Sequence, residues 1–195
     1  KAMMDDFVDS TTDVFTIDGN LYELPTDCND AVVHVNTKMF QEAGIEIPYD
    51  GWTWEEFRSI AKQLTTGEGD SKVYGFGTSL SPAWLAGWFM SNGSDYINDD
   101  WTDSNLSDPK AMETVEFLNS LVNEDKSMPV PETTTDATSL FAAGRVAMIA
   151  TGIWPFPSYK ANGFEDVDVV PMPTNSEDAK VGFGVGGVGI YSKSG

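Results

Sequence analysis

Along this chain, apolar runs of strand length keep giving way to apolar stripes of helical spacing, and most changes of period carry a cap or a glycine. Ala31-Val32-Val33-His34-Val35 is a β-branched run bounded by Asn29-Asp30 and Asn36, the pattern of a buried strand. Asn36 or Thr37 is placed to cap a short helix through Met39, Phe40 and Ala43, and Gly44 stands where a left-handed closing residue is wanted. Thr53 precedes Glu56 at capping-box spacing, with Phe57, Ile60, Ala61 and Leu64 following at helical intervals. Val73 to Gly77 reads as a strand, and Pro82 opens an aromatic helix through Trp84, Leu85, Trp88, Phe89 and Met90 to Asn92-Gly93. Asp108-Pro109 begins the longest helix, with Met112, Val115, Leu118, Leu121 and Val122 on one stripe. A helix from Asp136 to Ala143, closed by Gly144, leads into the strand Val146 to Ala150. A helix from Trp154 to Asn162, a strand from Val167 to Val170 and a glycine-broken strand from Val185 to Tyr191 complete the series. Such alternation predicts an α/β domain, a mainly parallel sheet flanked by helices. Ahead of it, Asp18-Gly19 marks a short hairpin, while Thr65-Thr66-Gly67 and Thr133-Thr134-Thr135 read as loops.

The chain carries 31 acidic and 11 basic residues, a formal charge of −20, which repels nucleic-acid phosphates and anionic headgroups. No nucleic-acid partner is expected. The acids are scattered in ones and twos and read as a solvated surface. A single cysteine, Cys28, and a single histidine, His34, leave no intrachain disulfide and no His/Cys set for zinc; neither metal nor other cofactor is expected. His34, inside an apolar strand run, reads as a core or interface histidine and not a catalytic base. Among 31 acids some carboxylate pair always meets glycosidase spacing, so acid content is no sign of an enzyme, and no Gly-x-Ser-x-Gly elbow is present. No run reaches the length of a membrane span. The opening Lys1 and the ending just after a glycine-rich run read as cuts from a longer chain.

Five segments resemble, in order, the landmarks of maltodextrin-binding-type solute-binding proteins. They are Gly19-Asn20-Leu21-Tyr22-Glu23-Leu24-Pro25, Val35-Asn36-Thr37-Lys38-Met39-Phe40-Gln41-Glu42-Ala43-Gly44, and Pro48 with Thr53-Trp54-Glu55-Glu56-Phe57. Farther on come Phe141-Ala142-Ala143-Gly144-Arg145-Val146-Ala147-Met148, and Thr151-Gly152-Ile153-Trp154 followed by Val170-Pro171-Met172-Pro173. Val35 departs from the family's usual aromatic. The resemblance implies a periplasmic-binding-protein-like fold, two α/β lobes joined by hinge strands with the ligand between them. Residues 1–28 would be a stub of the first lobe with the first crossing, 29–181 the second, ligand-gripping lobe, and 182–195 the second crossing.

A sugar site needs flat aromatic faces for the ring and planar polar groups for the hydroxyls. Trp154 follows Thr151-Gly152 at a strand-to-helix turn, where an open α/β sheet binds ligands, and it is the leading platform candidate over core packing. Trp84 has a similar topological place, Trp88 is expected to be buried, and Trp52, Trp54 and Trp101 read as packing or surface residues. Asp27 and Asn29 border the first crossing and are candidates for hydroxyl contacts, with turn capping as the alternative. In the glycine run 182–189, which lacks the Lys-Ser/Thr of a phosphate loop, Gly184, Gly186 and Gly187 read as a hinge. The family resemblance implies the substrate-binding component of an ABC transporter, a monomer that is not an enzyme. It would capture an oligosaccharide or glycoside for membrane permease subunits, as a periplasmic protein or cell-surface lipoprotein outside the cytoplasm. The alternatives are a secreted carbohydrate-active enzyme or accessory carbohydrate-binding domain, and a sensor that reports ligand occupancy to a receptor.

Overall fold

A computed structural model describes residues 6–79, 81–98, 100–130 and 136–194. The loop expected at Thr133-Thr134-Thr135 lies outside the described residues. The chain divides into two compact units, Ala31–Gly182 and a smaller one made of Lys1–Asp30 with Phe183–Gly195.

In the larger unit, β4 (Val32–Asn36) is the middle strand of a sheet, between β5 (Met148–Thr151) and β6 (Val167–Pro171). Because side chains alternate along a strand, β4 feeds two cores. Val33 and Val35 enter one with Phe40, Trp54, Phe57, Phe76 and Trp88. His34 points the other way, toward Phe141, Phe156 and Tyr159. Met148 and Ala150 of β5 join the first core and Ile149 the second, so helices cover both faces of the sheet. The layered α/β arrangement is as expected, but the mainly parallel sheet needs correction. β4 is antiparallel to both neighbours, with Val32 opposite Thr151 on one side and Pro171 on the other. The chain enters the sheet through its middle, at the end where β5 and β6 finish, so the central strand must run against them.

The expected strand from Val73 to Gly77 forms only single bridges, two of them parallel, Tyr74 with Val146 and Gly77 with Ile149. Its ladder is broken because the Phe76 N–H donates instead to the Ser127 carbonyl. Gly75 also lies so close to helix α3 (Trp54–Leu64) that a β-carbon there would overlap the Ala61 carbonyl group.

The helix ends follow the chemistry of their caps. Asn36 accepts from the Met39 N–H and Gly44, at φ 67°, closes α2 (Thr37–Ala43). Thr53 and Glu56 exchange both capping-box bonds at the start of α3. Trp54 stacks on Phe117 with centroids 4.2 Å apart, and Trp88 is wholly buried, as expected. Helix α4 spans Pro82–Ser91 and α5 Pro109–Asn123. The buried stripe of α5 is offset from the expected one: Ala111, Thr114 and Leu121 face inward, whereas Met112 and Val115 are exposed. Helix α6 (Ala137–Ala142) is capped by Asp136, and α7 is Phe156–Ala161.

In the smaller unit, Asp18 and Gly19, both at positive φ, turn the chain between β1 (Thr16–Ile17) and β2 (Asn20–Leu21), as their hairpin chemistry predicts. Helix α1 (Asp9–Asp13) precedes them, and β3 (Glu23–Asp30) pairs antiparallel with β7 (Phe183–Gly189).

Candidate ligand-binding site

β5 ends at Thr151, and the chain passes through Gly152 and Ile153 to Trp154 before α7 begins. Trp84 comes from the first turn of α4. The two indoles, 70 positions apart in sequence (154 less 84), lie stacked with centroids 4.9 Å apart and planes inclined by 28°. Trp154 remains 46% exposed and Trp84 is partly buried, unlike Trp52, Trp54 and Trp88, which are core residues. Trp101 is at the surface, 80% exposed.

A concavity of about 240 Å³ opens beside the pair. Its polar rim is made by Ser79, Asp136, Thr138 and Thr151, and Ile149 and Ala150 contribute apolar lining. Asp136 accepts from the Thr138 N–H at 3.0 Å and the Ser139 hydroxyl at 2.6 Å, which fixes its carboxylate while leaving it exposed. Among the described residues, no lysine, arginine or histidine lines this concavity. A flat apolar surface bordered by hydroxyls and the Asp136 carboxylate suits a neutral, hydroxylated ring and disfavours an anion.

In the second core, burial pulls the His34 imidazole down to about 4, with the Gly152 carbonyl opposing in part. Nδ1 lies 3.1 Å from the Tyr159 hydroxyl, and buried Nε2 has no hydrogen-bond partner among the described residues. Burial, aided by the charge of Asp136, pushes the Tyr159 hydroxyl up. His34 is thus a neutral core residue.

Asp27 and Asn29 lie on β3 of the smaller unit, two residues apart, and the Asn29 amide donates to the Asp27 carboxylate at 3.3 Å. Gly184, Gly186 and Gly187 face Asn29, Asp27 and Pro25 across the β3–β7 ladder. None of the three has positive φ. Gly186 and Gly187 are closely approached by side chains: a β-carbon at 186 would stand 2.5 Å from the Asp27 carboxylate, and one at 187 the same distance from the Phe15 ring, so either side chain would have to move. The structure therefore brings Trp84 and Trp154 together, and separately Asp27, Asn29 and the three glycines.

Sequence reasoning missed Ser79, Asp136, Thr138 and Thr151 as rim residues. Asp136 was legible only as the start of a helix, which it caps, and its place beside the tryptophans depends on strand order, which local spacing does not encode.

The sequence pattern of the bacterial extracellular solute-binding protein family matches residues 2–195. The chain belongs to that family. This solute-binding chain is 28% identical over 160 residues to a binding protein of Brucella abortus, covering 78% of this chain and 37% of that protein. It is 23% identical over 198 residues to the arabinooligosaccharide-binding protein of Bacillus subtilis, covering 94% of this chain and 43% of the relative. An ABC substrate-binding protein from Listeria monocytogenes, solved in complex with cycloalternan, superposes with a TM-score of 0.82 at 26% identity, covering 99% of this chain and 51% of that one. The solute-binding chain therefore spans about half the length of these proteins or less. The periplasmic-binding-protein-like fold is shared, and the family is one of binding proteins, not enzymes.

Proposed function

We propose that this chain is the ligand-gripping half of the substrate-binding component of an ABC importer. In this reading Trp84 and Trp154 form the platform on which a sugar ring lies. The carrying observation is the stacked, part-exposed indole pair beside a concavity rimmed by Ser79, Asp136, Thr138 and Thr151. An indole face covers the C–H face of a pyranose, and the hydroxyl groups and carboxylate replace the hydrogen bonds that the sugar gives up to enter. The arabinooligosaccharide and cycloalternan named for two relatives support an oligosaccharide or glycoside as ligand. Asp27 and Asn29 would supply further hydroxyl contacts, and Gly184, Gly186 and Gly187 the flexible return strand of a hinge. Membrane permease subunits are the proposed acceptors of the sugar. The family's extracellular character supports a monomeric protein that is either free in a periplasm or a cell-surface lipoprotein.

The test is a thermal-shift screen of the full-length protein against mono- and oligosaccharides, because a ligand that binds only the folded state raises the melting temperature. Trp154→Ala then reads the platform. Stacking is worth about 0.5–1.5 kcal/mol and burial of the covered face about 1–2 kcal/mol more, so affinity should fall ten- to a few hundred-fold. With Trp154 already 46% exposed, the ligand-free melting temperature should hardly move. A collapsed melting temperature or an unchanged affinity would make Trp154 a packing residue.

A further inference from the structure

Gly152 is buried at the end of β5, and nothing in its own backbone calls for glycine, since its φ lies outside the left-handed region. The reason for glycine is instead the neighbouring indole. A β-carbon at 152 would fall 2.6 Å from Cε3 and 2.8 Å from Cη2 of Trp154, and closer still to Cζ3. These are the three nearest atoms it would meet, and all belong to one side chain. The six-membered ring of Trp154 therefore occupies the volume that a side chain at 152 would fill. With that edge of the ring held against Gly152 and one face on Trp84, the other face is left for solvent or ligand.

We propose that Gly152 is a positioning residue: its missing side chain makes the seat in which the Trp154 indole stacks against Trp84 and is held ready for a ligand. Its consequence for affinity rests on the sugar-platform reading above, whereas its consequence for the indole pair does not. A ring already held in its bound pose loses little freedom when the ligand arrives, and a ring pushed out of its seat must first be ordered.

The variant that tests this is Gly152→Ala in the full-length protein, with Trp84→Ala and Trp154→Ala as references. Stacked indoles couple electronically and give an exciton couplet in far-ultraviolet circular dichroism. We expect Gly152→Ala to lose, without any ligand present, the same couplet component that Trp84→Ala and Trp154→Ala lose. With a sugar selected by the thermal-shift screen, Gly152→Ala should weaken binding about ten-fold or more, and adding it to Trp154→Ala should cost little further affinity. A retained couplet would overturn the proposal. A lost couplet with unchanged sugar affinity would uphold the seat and overturn the platform reading instead. Should Gly152→Ala lower the melting temperature, Trp154→Ala in the same chain must restore it, because the overlap is with that ring; failure to restore it would also overturn the proposal.

Discussion

Enclosing one imidazole among Phe141, Phe156 and Tyr159 costs His34 its charged form. Its pKa is lowered by burial to about 4 in the folded protein, against roughly 6.5 in an unfolded chain. Between these values the unfolded state binds a proton that the folded state does not, so stability is complete above the higher value and declines as pH falls toward the lower one. Going from about pH 7 to about pH 4.5, this group alone should remove about 2 kcal/mol of unfolding free energy. The measurement is urea denaturation at both pH values for the parent and for a His34→Phe/Tyr159→Phe double variant, which removes the imidazole together with the hydroxyl that bonds it. Carboxylates titrate alike in the two proteins, so the parent should lose about 2 kcal/mol more. Equal losses would mean that His34 does not carry this linkage.

At the scale of elements, stability is placed at the helix ends. Thr53 accepts from the Glu56 N–H at 3.2 Å, and the Thr53 N–H donates to the Glu56 carboxylate at 2.7 Å. Thr53→Ala removes the first of these bonds from a helix whose Trp54, Phe57 and Ala61 anchor the main core. It should cost about 1 kcal/mol, with a range of roughly 0.5–2, read as a lowered urea midpoint at unchanged slope. A midpoint that does not move would show that Glu56 and solvent cap the helix unaided. This cap was legible in the sequence because its chemistry is local, as were Asn36, Gly44 and the Asp18-Gly19 turn. The segment from Val73 to Gly77 was not, because what breaks it, the contact of Gly75 with Ala61 and the bond from Phe76 to Ser127, comes from distant residues. Similarly, the apolar pattern of α5 placed Met112 and Val115 on the inward stripe. Packing chose the smaller Ala111 and Thr114, each wholly buried, for the close contact. At the site, Trp154 and Trp84 could be named from residue type and topological place. Their mutual stacking, and the rim supplied by Asp136 and Thr138, required the order of strands in space.

For the whole molecule, the division at Asp30/Ala31 and again at Gly182/Phe183 means that the chain passes twice between its units. The chain spans about half the length of the Listeria protein, and on the proposed reading it supplies one side of a two-sided site. A sugar laid on Trp154 in this chain alone would bury one face and leave the hydroxyls of the other in water. Closure of a second lobe adds contacts there and excludes solvent. Each 1.4 kcal/mol of added contact is about ten-fold in affinity, and burial of a second ring face contributes at least that much. The 195-residue chain should therefore bind the sugar selected by the thermal-shift screen at least ten-fold more weakly than the full-length protein does. Titration calorimetry on the two proteins under the same conditions measures the difference. Equal dissociation constants would show that the 195-residue chain holds a self-sufficient site to which a second lobe adds nothing.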